Sequence, residues 1–329
     1  FAITHVIRAV EHLSNTPRQM FIATALGFET PAFAHLPYVA EPGSAEKLSK
    51  RKLSKYLKHH EFKKTYDHGA AIAEALGRVV TPDTFSPVVV DFYRTVGYEP
   101  DALVNYLLLL GWSLDDRTET FTRKQMIEHF SLERVNRSPA SFDSQKLLAF
   151  QERWMQALSV EARVSRVLPF AEGIGLVDSP PTDPQRARVA DVVRAAGERL
   201  KVAGDILDYP EFFQSDADVA YDEKAFTKRV RKEGVDTRLR RFRERLANVN
   251  PFDAPTLDQA IHDFVDTEGI GIGQIIHAVR VAVTGKAVGF GLFEGLAILG
   301  REACLARIDR ALARLRAVGE TGGAEDTTR

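Results

Sequence analysis

Lys47-Leu48-Ser49-Lys50-Arg51 puts three cations and a hydroxyl within five residues. On a loop beside an α/β crevice, that set suits the negative charge that develops on a polyphosphate during nucleotidyl transfer. The same spacing also describes a solvated face. The run continues through Lys52, Lys55, Lys58, Lys63 and Lys64 with only Glu61 opposing it, so a basic face touching RNA phosphates is a third reading. Upstream stand Arg8, Glu11 and His12. A guanidinium can hold a carboxylate through two parallel hydrogen bonds, although Arg8 alone also fits a strand-end surface residue and His12 a capping or core histidine. Further on, Lys228, Arg229, Arg231, Lys232, Arg238, Arg240, Arg241, Arg243 and Arg245 are opposed within their own stretch by Glu233, Asp236 and Glu244. That makes either a positive face for nucleic acid or a solvated helix with pairs four residues apart, such as Glu244 with Arg240. Arg301, Arg307, Arg310, Arg314 and Arg316 form another such set, on a helix whose Leu305, Ile308, Leu312 and Leu315 mark a buried face.

The elements that must position these residues follow from apolar spacing. Phe1 to Arg8 is predicted as a buried strand, with β-branched Ile3, Val6 and Ile7 and no lead-in before it. Ser14 to Pro17 starts a helix that runs to Gly27, Phe33 to Val39 is a second strand, and Glu41 to Ala45 is a turn. Strand, helix, strand and loop make half of a doubly wound α/β domain. Beyond that point the pattern is helical. Helices are predicted over 70–76, 103–110, 124–130, 144–158, 185–200, 223–233, 239–247, 257–268, 273–283, 292–299 and 301–317, and the tail 320–329 is expected to be disordered.

A chain of 329 residues implies two or three domains, and 44% hydrophobic with 27% charged residues is an ordinary globular composition. A lone Cys304 forms no intramolecular disulfide and begins no cysteine zinc cluster, which suits a reducing compartment. No run approaches 18 apolar residues and no charged leader precedes Phe1, so neither a membrane span nor a signal peptide is expected and the cytoplasm is the expected location. The net charge of -1 points to no nucleic-acid partner by itself, leaving only local clusters to do so.

Lys47 to Arg51 resembles the signature loop of class I aminoacyl-tRNA synthetases, in the K-L-S-K-R form of glutamyl-tRNA synthetases. The resemblance extends to Ile3 to Arg8, Glu11 to Gln19 and His35-Leu36-Pro37. It continues through Gly97-Tyr98, Ala102 to Ser113, Phe130 to Val135 and Ser141 to Asp143, then Arg280 to Gly285 and Gly291 to Glu294. Nearly the whole chain is covered in order.

The resemblance implies a mainly α chain: the C-terminal half of a class I Rossmann-type α/β catalytic domain (1–90), a stem-contact region (91–141) and an all-helical anticodon-binding domain of two subdomains (142–319). The helical end is similar to the bacterial glutamyl type, since glutaminyl enzymes carry β-barrels there. It implies ATP-dependent activation of L-glutamate and its transfer to tRNA(Glu), with Mg2+ accompanying ATP, no zinc site, no membrane partner and a monomer. Lys47, Ser49, Lys50 and Arg51 would be catalytic. Lys50, Leu48 and His12 would bind ATP, and Arg8 and Glu11 the amino acid. Arg240, Arg241, Arg280, Phe290, Gly291 and Leu292 would contact tRNA. Four features depart from the family pattern: Ala9-Val10 for glycine and an acid, Lys52-Leu53 for His-Gly, Phe290 for proline, and an expected insertion over 54–87. The H-I-G-H motif of the class is not among these residues, so the chain is expected to lack aminoacylation activity alone. A synthetase-derived tRNA-binding protein without chemistry is the alternative.

Overall fold

Val6 and Ile7 lie in strand β1 (His5–Ala9), and a 3-10 turn over Val10–Asn15 leads into helix α1 (Thr16–Ala25), which opens with Pro17 in its first turn. Strand β2 (Ala32–Leu36) returns parallel to β1, with His5 opposite Ala32 and Arg8 opposite His35. The strand expected over Phe33 to Val39 is therefore two. Pro37 lacks an amide N–H, β2 ends just before it, and β3 (Val39–Ala40) pairs instead with β4 (Ala140–Ser141) in a second parallel sheet. The computed structural model describes residues 2–322, which fall into two compact units.

The first unit contains these strands, α1, and helices α2 (Leu53–Tyr56), α3 (His60–Ala75), α4 (Val90–Val96), α5 (Pro100–Leu109), α6 (Arg123–His129) and α7 (Ser144–Ala157). The expected insertion is part of its core. Helix α3 starts ten residues ahead of the apolar run that signalled it, because its first turns carry charges around a single buried Phe62. At Gly69 a side chain would meet Phe92 Cε2 at 2.6 Å, so only glycine lets α3 approach α4 so closely. Helix α7 belongs here as well, with its Phe150 ring 6.4 Å from that of Tyr106 on α5. The boundary between units therefore falls at 158/159 rather than at 141/142. Residues Lys201–Gly204 return to this unit: the Ala203 amide donates to Gly97 O at 3.0 Å, and buried Gln151 donates to Lys201 O at 2.9 Å.

The second unit, 159–200 with 205 onward, is helical throughout its regular structure. It contains α8 (Val160–Gly173), α9 (Asp183–Ala196), α10 (Glu223–Arg229), α11 (Val235–Ala247), α12 (Ala254–Glu268), α13 (Ile276–Thr284), α14 (Leu292–Leu299) and α15 (Arg301–Gly322). Helix α8 has no counterpart in the sequence reading. It contains Pro169, which interrupts the helical pattern, but it is capped at its start by the Ser159 side chain. Helix α15 continues to Gly322, past Glu320 where the disordered tail was expected to begin; the rest of that tail, 323–329, lies outside the described residues. Among the described residues no helix is long and apolar enough to cross a membrane.

Candidate functional site

The signature loop leaves β3 and folds back on it. Leu48 N–H donates to Val39 O at 2.9 Å, Glu41 N–H to Glu46 O at 2.8 Å, and Tyr38 Oη to Ala45 O at 3.0 Å. Beyond Leu48, the Ser49 amide donates to the hydroxyl of Tyr56 on α2 at 3.0 Å. The Ser49 backbone thus ties the loop to α2. Beneath the loop lies Glu41, fully buried, paired with Lys55 and 3.6 Å from Lys52, which also reaches Glu46 at 2.5 Å. The Lys55 hydrogen bond, aided by Tyr56 and the two lysine charges, lowers the Glu41 carboxyl to about 2 against the opposing effect of desolvation. Lys50 and Arg51 are exposed, and neither makes an ion pair among the described residues.

The first lysine of the loop reaches the other cluster. Lys47 Nζ lies 2.6 Å from Glu11 Oε2, and this hydrogen bond is the main reason the Glu11 carboxyl is held below its usual range. His12 Nε2 is 3.7 Å from the other Glu11 oxygen. Arg8, at the end of β1, donates to Thr16 Oγ1 at 2.7 Å, and its guanidinium sits 5.2 Å from the centre of the Phe33 ring. Thr16 Oγ1 shares a 2.9 Å hydrogen bond with His35 Nε2. The Arg8 Nε is buried without a partner, which leaves it donor capacity for an anion. Glu11, His12 and Lys47 thus meet in one cluster, while Arg8 meets Thr16 and Phe33 and, through Thr16, His35. No group of three or more metal-ligating side chains occurs among the described residues.

The arginine-rich helices read differently in three dimensions. On α11, Arg241 pairs with Glu268 at 2.6 Å, Arg243 with Asp309 at 2.8 Å and Arg245 with Asp263 at 3.1 Å; Arg240 pairs with Asp236 at 3.6 Å rather than with Glu244. Most of these acids come from α12 and α15, far along the sequence, so the stretch is opposed by more than its own acids. The set on α15 divides: Arg316 stays exposed, Arg301 donates to the carbonyl of Val249, and the other three are engaged within the unit. Arg307 is buried and donates to Asp216 at 2.6 Å and to the carbonyls of Glu211 and Val283, Arg310 donates to the carbonyls of Asp216 and Val219, and Arg314 pairs with Glu223. These arginines join elements of the unit to one another.

Phe290 and Leu292, expected at a tRNA contact, are buried instead, and the Phe290 ring stacks on Phe212 with centroids 4.8 Å apart. Both side chains are part of the core of the second unit. Gly291 caps the start of α14. Arg280 Nη1 donates to Phe290 O at 2.8 Å and lines an open cavity of about 810 Å³ with Arg199, Tyr209, His277, Lys286 and Gly289. Burial, then the charges of Arg229, Arg280 and Lys232, pushes the His277 imidazole below its usual range. The sequence reading missed Arg199, His277 and Lys286, because no local period links positions this far apart.

A sequence profile of the class I tRNA synthetase (E and Q) catalytic domain matches residues 1–85 and 83–149, and a profile of an anticodon binding domain matches 162–312. The chain is 35% identical over 314 residues to a glutamate–tRNA ligase of Moorella thermoacetica, covering 95% of itself and 57% of that protein. It is 36% identical over 313 residues to a glutamate–tRNA ligase of Nitratidesulfovibrio vulgaris, covering 94% and 58%. The chain belongs to the glutamyl-tRNA synthetase family. Among solved structures, it is similar to a glutamate tRNA ligase of Elizabethkingia meningosepticum in complex with its amino acid, with a TM-score of 0.72 at 26% identity over 95% of this chain and 57% of that one. The chain spans under three fifths of the length of these relatives. The catalytic-domain profile runs through α2 and α3, the segment that looked like an insertion.

Proposed function

We propose that this chain carries the signature-loop side of the catalytic site and the anticodon-binding part of a glutamate–tRNA ligase. A carboxylate oxygen of glutamate attacks the α-phosphorus of ATP, releasing pyrophosphate and leaving glutamyl-adenylate. A hydroxyl of the terminal ribose of tRNA(Glu) then attacks the glutamyl carbonyl, and AMP departs. Lys47, Lys50 and Arg51 neutralise the pyrophosphate, where preorganised cations are most effective, and the backbone at Leu48 lies against adenine. Mg2+ arrives on the nucleotide and spreads the charge of its phosphates. Arg8 holds a carboxylate of glutamate, with Glu11 and His12 beside it. Positioning does most of the work, so no covalent enzyme intermediate is needed. The first unit serves catalysis and stem contact, the second holds the anticodon arm through the cavity at Arg280, and the protein acts as a cytoplasmic monomer.

The observation that supports this reading is the Lys47–Glu11 ion pair at 2.6 Å, which joins the signature loop to the turn that follows Arg8. The test is glutamate-dependent ATP–pyrophosphate exchange, measured for this chain alone and for the chain joined to the part of the Moorella relative beyond the match. Exchange by the joined protein and none by the chain alone is expected. Binding of tRNA with no exchange in the joined protein would give the non-catalytic alternative instead.

A further inference from the structure

The segment that follows the signature loop keeps its charge. Between Glu41 and Lys64 stand eight Lys and Arg against three acids. Glu41 and Glu46 are engaged by Lys52 and Lys55, Lys63 pairs with Asp67, and Glu61 lies 3.8 Å from His60 Nε2. Lys50, Arg51, Lys58 and Lys64 remain exposed, with no ion pair among the described residues. The contrast with α11 is informative, because there Arg240, Arg241, Arg243 and Arg245 each find a carboxylate. A basic run that only solvates a helix tends to be neutralised in that way.

The unneutralised run is also firmly held. Tyr56 and Phe62 are buried, Tyr56 accepts the Ser49 amide, and α3 is locked against α4 at Gly69. Cations on an anchored backbone, with no exposed Phe, Tyr or Trp between Lys50 and Lys64 and only the imidazoles of His59 and His60 among them, suit a regular polyanion contacted mainly through its backbone. We propose that Lys58 and Lys64, continuing the exposed charge of Lys50 and Arg51 onto α3, form a contact surface for the phosphate backbone of tRNA outside its anticodon arm. This rests on the proposed function and assigns a role to the segment that follows the signature loop.

The test is binding of this chain to a tRNA(Glu) transcript and to its isolated anticodon hairpin across a KCl series, compared with the double variant Lys58→Gln/Lys64→Gln. Both side chains are exposed, so an unchanged melting curve is expected and checks folding. For whole tRNA, the slope of log affinity against log salt should shrink by about two, roughly one for each phosphate no longer neutralised, with about tenfold weaker binding at physiological salt. Binding of the hairpin should be unchanged. An unchanged slope for whole tRNA, or an equal loss for the hairpin, overturns the proposal. So does charge-dependent binding to phosphatidylserine vesicles that exceeds binding to tRNA, which would make the surface a membrane contact. If the unmodified chain binds neither RNA, the functional reading falls and this surface falls with it; silent variants on a chain that binds tRNA sink the surface alone.

Discussion

Glu41 shows how much of the site depends on side chains that attract no notice in the sequence. Its carboxylate is buried under the signature loop and held by lysines that, read in one dimension, are simply more of a basic run. Its carboxyl falls from 4.5 to about 2 in the folded protein, so the stability it contributes is fully present above 4.5 and is lost as the pH falls toward 2. Urea unfolding at a series of pH values should therefore show Glu41→Gln less stable than the parent at neutral pH, with the gap closing across that window; a constant gap would assign the cost to packing. Lys50→Ala, in the joined protein described above, should slow adenylate formation by about 10² to 10³, the usual cost of removing one preorganised electrostatic partner, with little change in ground-state ATP binding. Rapid-quench measurement of pyrophosphate release decides it, and an unchanged rate would make Lys50 part of a solvated face. The loop residues were legible because three cations and a serine in five positions are conspicuous. Glu41 and Tyr56 were not, because their contacts cross a turn and carry no period. Phe290 and Leu292 show the opposite case, where the resemblance implied tRNA contact and the packing buries both side chains.

Helices with a clean apolar stripe, such as α7 and α12, were legible to within a few residues. Those whose stripe is narrow or interrupted were not: α3 buries Phe62 among charged residues, α4 has only seven residues, and α8 runs through Pro169. The two-residue β3 and β4 are too short for alternation to register. Tertiary contact, rather than propensity, defines these elements. A substitution at Gly69 tests this. Alanine there improves intrinsic helix propensity by about 1 kcal/mol, yet it places a methyl 2.6 Å from Phe92 Cε2. Overpacking costs about 1 to 3 kcal/mol and should dominate, so Gly69→Ala is expected to lower the denaturation midpoint, and a raised midpoint would mean that α3 and α4 separate freely.

At the scale of the molecule, the division after Leu158 predicts how the chain can be cut. A fragment 159–322 should fold alone and melt cooperatively, whereas one beginning at 142 should carry α7 as an appendage with Leu147, Phe150 and Met155 stripped of their partners in the first unit. Calorimetry and proteolysis of the two fragments check this; equal protease resistance of 142–158 in the longer fragment would contradict it. On α1 and at its C-terminal cap, Phe21, Ile22 and Leu26 stand 74%, 59% and 64% exposed beside a sheet of two strands, and apolar surface of this kind should make sedimentation of the chain depend on concentration. The return of Lys201–Gly204 to the first unit bears on the order of events during synthesis. Domains usually fold as they emerge, N-terminal first. Here Gln151, Gly97 and Ile72 wait for a strip of four residues that leaves the ribosome only after α8 and α9, so the earlier-made unit is completed by part of the chain made later, and the two cannot mature as successive beads on a string.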